Sequence, residues 1–284
     1  MSLSGGASSP KAFWELLCNG VDAITEVPPD RWNWRMFYDS NRVRPGKSDS
    51  PWGGFIEDID QFDAQFFGIS PREATRMDPQ QRLLLEVVWE ALENAGQVPE
   101  ALAGSDTGVF IGRRFKTRIR LLYNFSGKNL VLLRDSGFGI RDSEFRLKWG
   151  IHLRRDKADN HSSVIPRETR NLLSGCGQSL AVDTACSSAL VAIHFACQSI
   201  WNGEATLALA GGVNAMLKPE LTIGFSKASM LSPDGRCKSF DAQANGYVRS
   251  EGGGIVVLKP IPVNERVLGR TNCSLSGGGR DLSL

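Results

Sequence analysis

The chain alternates short runs of apolar residues with longer segments in which apolar residues recur every three or four positions. Runs of the first kind predict buried strands, and segments of the second kind predict helices. Glycine and proline lie between them, as expected of turns. The predicted strands cover residues 107–112, 180–182, 206–212 and 255–259, and the predicted helices cover residues 10–19, 81–96 and 187–200.

The helix at 81–96 has the clearest end signals in the sequence. Asp78 precedes it with Pro79 and Gln81 at the spacing of a capping box, and Ser70 and Glu73 show the same spacing just upstream. A glycine follows the last apolar position and is expected to end the helix. Its three carboxylates are expected to face solvent: Glu86, Glu90 and Glu93.

The most apolar helix, at 187–200, begins directly after Cys186 and leaves almost no polar face, which predicts a core helix. The positive end of the helix dipole favours the thiolate form of a cysteine, the form that attacks carbonyl carbon. The free N–H groups there could hold an oxyanion. The competing interpretation is a buried, inert cysteine. Asp183 and Thr184 are expected to shape the turn, and Ser187 is expected to cap the helix.

Composition indicates a globular protein, because 41% of the 284 residues are hydrophobic and 23% are charged. The length fits one large domain or two small ones. No apolar run approaches the ~20 residues of a membrane span. The N-terminus lacks the pattern of a secretory signal, which predicts a cytoplasmic protein. The six cysteines form no CxxC pair, which disfavours a zinc site or a disulfide framework.

Positive charge is concentrated in residues 113–178, which hold 15 Lys and Arg against 6 Asp and Glu. This segment has no clean hydrophobic period. Three interpretations stay open: a basic insertion that binds nucleic acid or an acidic partner, a diverged but structured segment, or an out-of-frame or misspliced translation. The abrupt change at its borders favours the third.

Several long strings resemble the β-ketoacyl synthase family, above all the ketosynthase domain of modular type I polyketide synthases. They are DTACSSAL, AGGVNAM and FSKASMLSPDGRCKSFDAQANGYVRSEGGGIVVLKP, with GGASSPKAFWELLCNGVDAITEVPPDRW and FDAQFFGISPREATRMDPQQRLLLEVVWEALENAG upstream. The resemblance implies an α/β fold of the thiolase-like type, with α-β-α-β-α layers. The chain supplies mostly the first half of that fold and lacks its first strand.

The resemblance also implies a domain organisation. A partial β-ketoacyl synthase N-terminal domain covers residues 1–262, and residues 113–178, which do not match the family, interrupt it. Residues 263–284 form a non-matching tail. The intact family is a homodimer whose interface uses the strand before the cysteine.

The chemistry implied by the resemblance is polyketide or fatty acid synthesis. Cys186 would accept an acyl group from a thioester on an acyl carrier protein, and a malonyl-type extender would lose carbon dioxide and condense with it. No cofactor is bound directly, since the phosphopantetheine belongs to the partner carrier protein. Phe225 matches an aromatic residue that lines the acyl pocket, with plain core packing as the alternative.

The histidines of the sequence limit the reaction that can be expected of this chain. The family's two catalytic histidines lie in motifs resembling HGTGT and NIGH, and neither motif occurs in this sequence. His194 lies about two helical turns beyond Cys186, too far to act as its base, and is expected to be a core histidine. We therefore expect that this chain alone cannot condense.

Two functions of other classes stay open from the sequence. The chain could be a non-catalytic fragment that binds acyl groups or the carrier protein and pairs with a complete subunit. Alternatively, the basic segment 113–178 could bind nucleic acid, although its arginine content alone is weak evidence for that.

Overall fold

The computed structural model describes residues 1–41, 43–113 and 178–260, and between the last two ranges it gives the backbone of three short strands. The remainder of the basic segment 113–178 and the tail 263–284 lie outside the described residues, and so do the interpretations attached to them. Among the described residues, no helix is long and apolar enough to cross a lipid bilayer.

The described part of the chain contains ten strands and five α-helices. The strands are β1 (Ser2–Leu3), β2 (Ile24–Glu26), β3 (Trp52–Gly54), β4 (Thr107–Arg113), β5 (Arg120–Tyr123), β6 (Leu130–Leu133), β7 (His152–Arg155), β8 (Ser179–Asp183), β9 (Leu207–Asn214) and β10 (Gly252–Leu258). The helices are α1 (Pro10–Cys18), α2 (Pro71–Ala74), α3 (Pro79–Asn94), α4 (Ser188–Trp201) and α5 (Pro219–Lys227). Short 3-10 turns lie at Trp34–Met36, Pro99–Leu102 and Ala185–Ser187.

Six strands form one mixed sheet in the order β1-β10-β9-β4-β8-β7. β4 runs parallel to both of its neighbours, so that Ile111 lies opposite Gly211 of β9 and Ala181 of β8. β10 and β7 run antiparallel to β9 and β8. The strand that leads to Cys186, β8, therefore lies in the interior of the sheet.

Successive residues of a strand point to opposite faces of the sheet, so both faces of this sheet carry apolar side chains. A helix packs on each face. On one face α3 packs over the strands through a buried cluster of Leu84, Val88, Leu92, Val109, Ile111, Ala181, Leu207 and Leu209. On the other face α4 packs through Phe110, Val182, Ala192, Ala196, Ala208 and Ala210. The small residues of the second cluster let α4 lie close to the sheet and give three layers, helix, sheet and helix.

The predicted helix ends at Ser70 and Asp78 are confirmed. The Asp78 carboxylate accepts a hydrogen bond from the Gln80 N–H (3.0 Å), and the Gln81 side chain accepts one from the Asp78 N–H (3.2 Å). The Asp78 side chain also accepts a hydrogen bond from the Gln81 backbone N–H, and this bond together with the one from the Asp78 N–H to the Gln81 side chain forms the capping box of α3. The Ser70 hydroxyl accepts a hydrogen bond from the Glu73 N–H (3.3 Å) at the start of α2.

The prediction that the 187–200 helix is buried all round is wrong. Within α4 only small residues are buried, whereas Leu190 is 72% exposed and Trp201 is 77% exposed. One side of the helix packs on the sheet, and the opposite side is open to solvent in the described part of the chain. Hydrophobic content alone cannot distinguish a helix covered on both sides from one covered on a single side.

Candidate functional site

Cys186 lies in the 3-10 turn Ala185–Ser187, which joins β8 to α4. It is a free, exposed cysteine. The competing interpretation of a buried cysteine is therefore wrong, because the turn carries this residue off the end of the sheet rather than into the packed layers on either side.

The residue before the cysteine has an unusual backbone. Ala185 adopts the left-handed region, with φ of 56°. For a residue that carries a Cβ, such a conformation costs about 1–3 kcal/mol and persists where the surroundings hold it. It turns the chain sharply between strand and helix, and places Cys186 at the surface of the turn.

Polar side chains hold this turn. The Asp183 carboxylate accepts a hydrogen bond from the Ala185 N–H (3.2 Å). The Ser188 hydroxyl accepts one from the Thr184 N–H (2.9 Å) and donates one to the Ala185 carbonyl oxygen (2.7 Å). The prediction that Ser187 caps the helix is wrong, because its hydroxyl instead donates to the Thr184 carbonyl oxygen (3.1 Å) and makes no capping bond.

Two glycines of the sheet lie directly beneath the start of α4. A Cβ atom added to Gly112 of β4 would lie 2.4 Å from the backbone nitrogen of Ala189, and one added to Gly212 of β9 would lie 2.9 Å from the Ala189 Cβ. Such distances are shorter than van der Waals contact, so only glycine allows this approach. The sequence indicated the strands, but it did not indicate that Gly112 seats the helix behind Cys186.

His194 is exposed, so the expectation of a core histidine is wrong. It lies on α4, and its ring centroid is 6.0 Å from that of Phe195. No hydrogen bond or ion pair links it to Cys186 in the described part of the chain. The structure therefore gives Cys186 no histidine partner among the described side chains, as the helical distance between the two residues predicts.

Phe225 lies on α5 with its ring half-buried. Its ring packs edge-on against Tyr247, with 6.1 Å between centroids, and the Arg249 guanidinium carbon lies 5.2 Å from the ring centroid. No hydrogen bond or ring contact joins Phe225 to the turn at Cys186 among the described residues. Pro219 at the first helical position, Glu220 in the first turn and Lys227 in the last turn are helix signals that could have indicated this setting on α5.

The chemistry of the site rests on the cysteine and the backbone around it. The described residues contain no group of three or more His, Cys, Asp or Glu side chains that could hold a metal ion. The first N–H groups of a helix have no acceptor within the helix, so they can donate hydrogen bonds to a ligand at this end. An exposed thiol beside such N–H groups can attack a carbonyl carbon while the N–H groups hold the oxyanion that forms.

Comparison with known families gives one match over most of the chain. Residues 1–262 match the family model described as the N-terminal domain of β-ketoacyl synthase.

Known proteins similar to this chain include large polyketide synthases. One polypeptide of the phenolphthiocerol/phthiocerol polyketide synthase of Mycobacterium tuberculosis is 48% identical over 257 residues, which are 90% of this chain and 13% of that protein. The phthioceranic/hydroxyphthioceranic acid synthase of Mycobacterium bovis is 42% identical over 260 residues, 92% of this chain and 11% of that protein. The chain thus spans a small part of these relatives.

Solved structures of ketosynthases match at the level of the fold as well. An oxazolomycin ketosynthase domain from Streptomyces albus JA3453 superposes with a TM-score of 0.72 at 35% identity, over 91% of this chain and 40% of that one. The ketosynthase from module 6 of the bacillaene synthase of Bacillus subtilis gives a TM-score of 0.71 at 32% identity, over 91% of this chain and 38% of that one. These matches confirm the thiolase-like fold expected from the sequence. The chain belongs to the β-ketoacyl synthase family, whose N-terminal domain it matches.

Proposed function

We propose that this chain supplies the acyl-accepting cysteine of a ketosynthase in polyketide biosynthesis, and that Cys186 is the nucleophile. The observation that carries the proposal is the exposed thiol on a strained turn at the start of α4. The substrate is an acyl thioester presented on the phosphopantetheine arm of an acyl carrier protein.

The proposed first step is acyl transfer. The Cys186 thiolate attacks the thioester carbonyl carbon, and a new carbon–sulfur bond forms as the carbonyl oxygen takes up negative charge. Backbone N–H groups of the turn hold this oxyanion. The oxyanion then collapses, the bond to the phosphopantetheine sulfur breaks, and that thiolate takes a proton from solvent. The acyl group remains on Cys186.

The proposed second step needs groups beyond Cys186. A malonyl-type thioester loses carbon dioxide, and its carbanion attacks the carbonyl carbon of the acyl-enzyme. The bond to Cys186 breaks and a β-keto thioester leaves on the carrier protein. The histidine motifs that serve this step in the family do not occur in these 284 residues. We therefore assign acyl transfer, and not condensation, to these residues alone.

Phe225 is proposed as a wall of the acyl-binding region. Its half-buried ring packs against Tyr247, and the Arg249 guanidinium lies over one face of the ring. Because truncating a large ring leaves space for a longer acyl chain, Phe225→Ala is expected to shift the preferred chain length upward in an acylation assay with thioesters of graded length. An unchanged preference would restrict Phe225 to packing.

The acyl transfer is tested by intact-mass spectrometry of the purified chain after incubation with hexanoyl-pantetheine. One hexanoyl mass increment is expected, and it should be absent from Cys186→Ala. The chain offers a matched control, since Cys18 and Cys237 are also free and exposed. The double variant Cys18→Ala/Cys237→Ala should therefore acylate like the parent chain. An increment that persists in Cys186→Ala would reject the assignment.

A second candidate function is that of a non-catalytic fragment that pairs with a complete ketosynthase subunit. The exposed apolar side chains of α4, Leu190 and Trp201, favour it, since such surfaces are commonly covered by another chain. Co-expression with an intact synthase tests it. Co-purification that survives Cys186→Ala but not Leu190→Gln/Trp201→Gln would support this function.

A further inference from the structure

Ser188, the first residue of α4, contacts the backbone on the N-terminal side of the cysteine. It is only 6% exposed, and its hydroxyl bonds both the Thr184 N–H and the Ala185 carbonyl oxygen. We propose that Ser188 is a positioning residue for acyl transfer, because its hydroxyl fixes the orientation of the peptide group between Ala185 and Cys186. This inference rests on the proposed function of Cys186.

The geometry of a peptide bond gives the physical reason. The Ala185 carbonyl and the Cys186 N–H belong to one planar trans peptide group, so they point in opposite directions. The Ala185 oxygen is held at 2.7 Å by the buried Ser188 hydroxyl and also accepts the Ser188 backbone N–H. The Cys186 N–H must then point away from this buried hydroxyl. An N–H aimed in that direction is available to a carbonyl oxygen that approaches the exposed thiol.

The same hydroxyl also opposes relaxation of the turn. The left-handed Ala185 lies between the two groups that Ser188 bonds, the Thr184 N–H and the Ala185 oxygen. Without the hydroxyl, the Thr184 N–H loses its acceptor and the Ala185 oxygen keeps only a backbone donor. The strained backbone can then rotate toward a more favourable φ, and the Cys186 N–H rotates with it.

The chain contains a matched control on the same helix. Ser199 of α4 is 2% exposed, and its hydroxyl has no hydrogen-bond partner among the described residues. Ser199→Ala therefore removes a buried hydroxyl from α4 without removing a bond to the turn. Ser188→Thr keeps a hydroxyl at the proposed position, whereas Ser188→Ala removes it.

Two rates at Cys186 separate positioning from general damage: acylation by hexanoyl-pantetheine and alkylation by iodoacetamide. Alkylation forms no oxyanion, so it does not need the Cys186 N–H. We expect Ser188→Ala to slow acylation at saturating thioester by at least about tenfold, with half-saturation within about twofold and alkylation within about threefold of the parent chain. Ser188→Thr should recover most of the acylation rate, and Ser199→Ala should match the parent.

Several outcomes would overturn the role of Ser188: acylation of Ser188→Ala at the parent rate, equal loss of both rates in that variant, or equal loss of acylation in Ser199→Ala. Thermal melts of each variant show whether a lower acylation rate comes from unfolding. An unchanged melting temperature together with slow acylation supports a positioning role for Ser188. Failure of the parent chain itself to acylate would instead reject the proposed function of Cys186. The two failures are thus distinguishable.

Discussion

The Glu251 carboxylate is buried against the Arg31 guanidinium, with 3.3 Å between Oε2 and Nη2 and side-chain exposures of 0% and 6%. Glu251 also accepts hydrogen bonds from the backbone N–H groups of Ile56 (2.9 Å) and Met216 (2.7 Å). One side chain next to β10 thereby joins three separate segments of the chain. The pair anchors the segment between β2 and β3, which contains Arg31, to the sheet that carries Cys186.

Removing this carboxylate is expected to be costly. Glu251→Ala leaves two buried backbone N–H groups without their acceptor and removes one of the two carboxylates that pair with Arg31, which keeps Asp30 (2.5 Å). It should lower the free energy of unfolding by about 2–5 kcal/mol. Denaturant unfolding followed by circular dichroism measures it. Glu15→Ala is the control, because Glu15 and Lys11 form an exposed pair 3.9 Å apart, worth about 0.5 kcal/mol. Similar losses in both variants would contradict the structural role of Glu251.

Gly112 provides a test of the packing beneath the cysteine. In Gly112→Ala the new methyl group collides with the backbone at Ser188 and Ala189, so the first turn of α4 must move. We expect a loss of about 1–3 kcal/mol in stability and a larger fall in the rate of Cys186 acylation than stability alone explains. Both are measured under conditions where the variant remains folded.

Gly224 of α5 is the matched control for that substitution. A Cβ at Gly224 would meet no atom within 4 Å, and Gly224 lies inside a helix. Gly224→Ala is therefore expected to stabilise the chain by about 0.5–1 kcal/mol, since alanine loses less backbone entropy in a helix. Destabilisation by Gly224→Ala, or full activity in Gly112→Ala, would show that the packing around these glycines is misassigned.

Glu86 was expected in solvent, but its side chain is half-buried, and burial raises the pKa of its carboxyl above the ordinary value of 4.5. A raised pKa means that ionisation costs more in the folded chain than in the unfolded chain, so the loss of stability begins as the pH rises through the ordinary value and is complete above the folded-state pKa. Glu86→Gln should therefore raise the melting temperature at neutral pH. The gain should shrink as the pH falls and disappear below the ordinary value. A gain that does not vary with pH would contradict this explanation.

The exposed side of α4 predicts self-association. Leu190 and Trp201 are exposed apolar side chains on one helix, and such surfaces promote aggregation. Light scattering during size-exclusion chromatography should show that apparent mass rises with concentration, and Leu190→Gln/Trp201→Gln should suppress the rise. Trp14→Gln on α1 also removes an exposed tryptophan, 58% exposed, and serves as the control. Equal suppression by both would remove the special role of α4.

Elements with local signals could be predicted from the sequence. The capping box at Asp78 and the glycine after the last apolar turn determine the ends of α3, and short apolar runs indicate β4, β8 and β9. These signals suffice because hydrogen bonds and hydrophobic periods act over a few residues. The position of Cys186 at the junction of β8 and α4 follows from the same local signals.

Features that depend on packing between distant segments could not be predicted. The exposure of His194 depends on which layers cover α4, and the close approach at Gly112 depends on how the helix sits on the sheet. α5 begins at Pro219, and its N-cap residue Lys218 makes no side-chain capping bond, so α5 lacks the capping box that marks α3. The left-handed backbone of Ala185 is held by Ser188 through hydrogen bonds that residue type alone does not reveal.

The most direct test of the central claim is the site of acylation. The parent chain is incubated with hexanoyl-pantetheine and digested with proteases that separate Cys186 from Cys176 and Cys197, and the fragments are sequenced by mass spectrometry. We expect the hexanoyl group on Cys186, and we expect prior alkylation of this residue to prevent its addition. A hexanoyl group on another cysteine, or none on the folded chain, would contradict the role of Cys186 as the acyl acceptor.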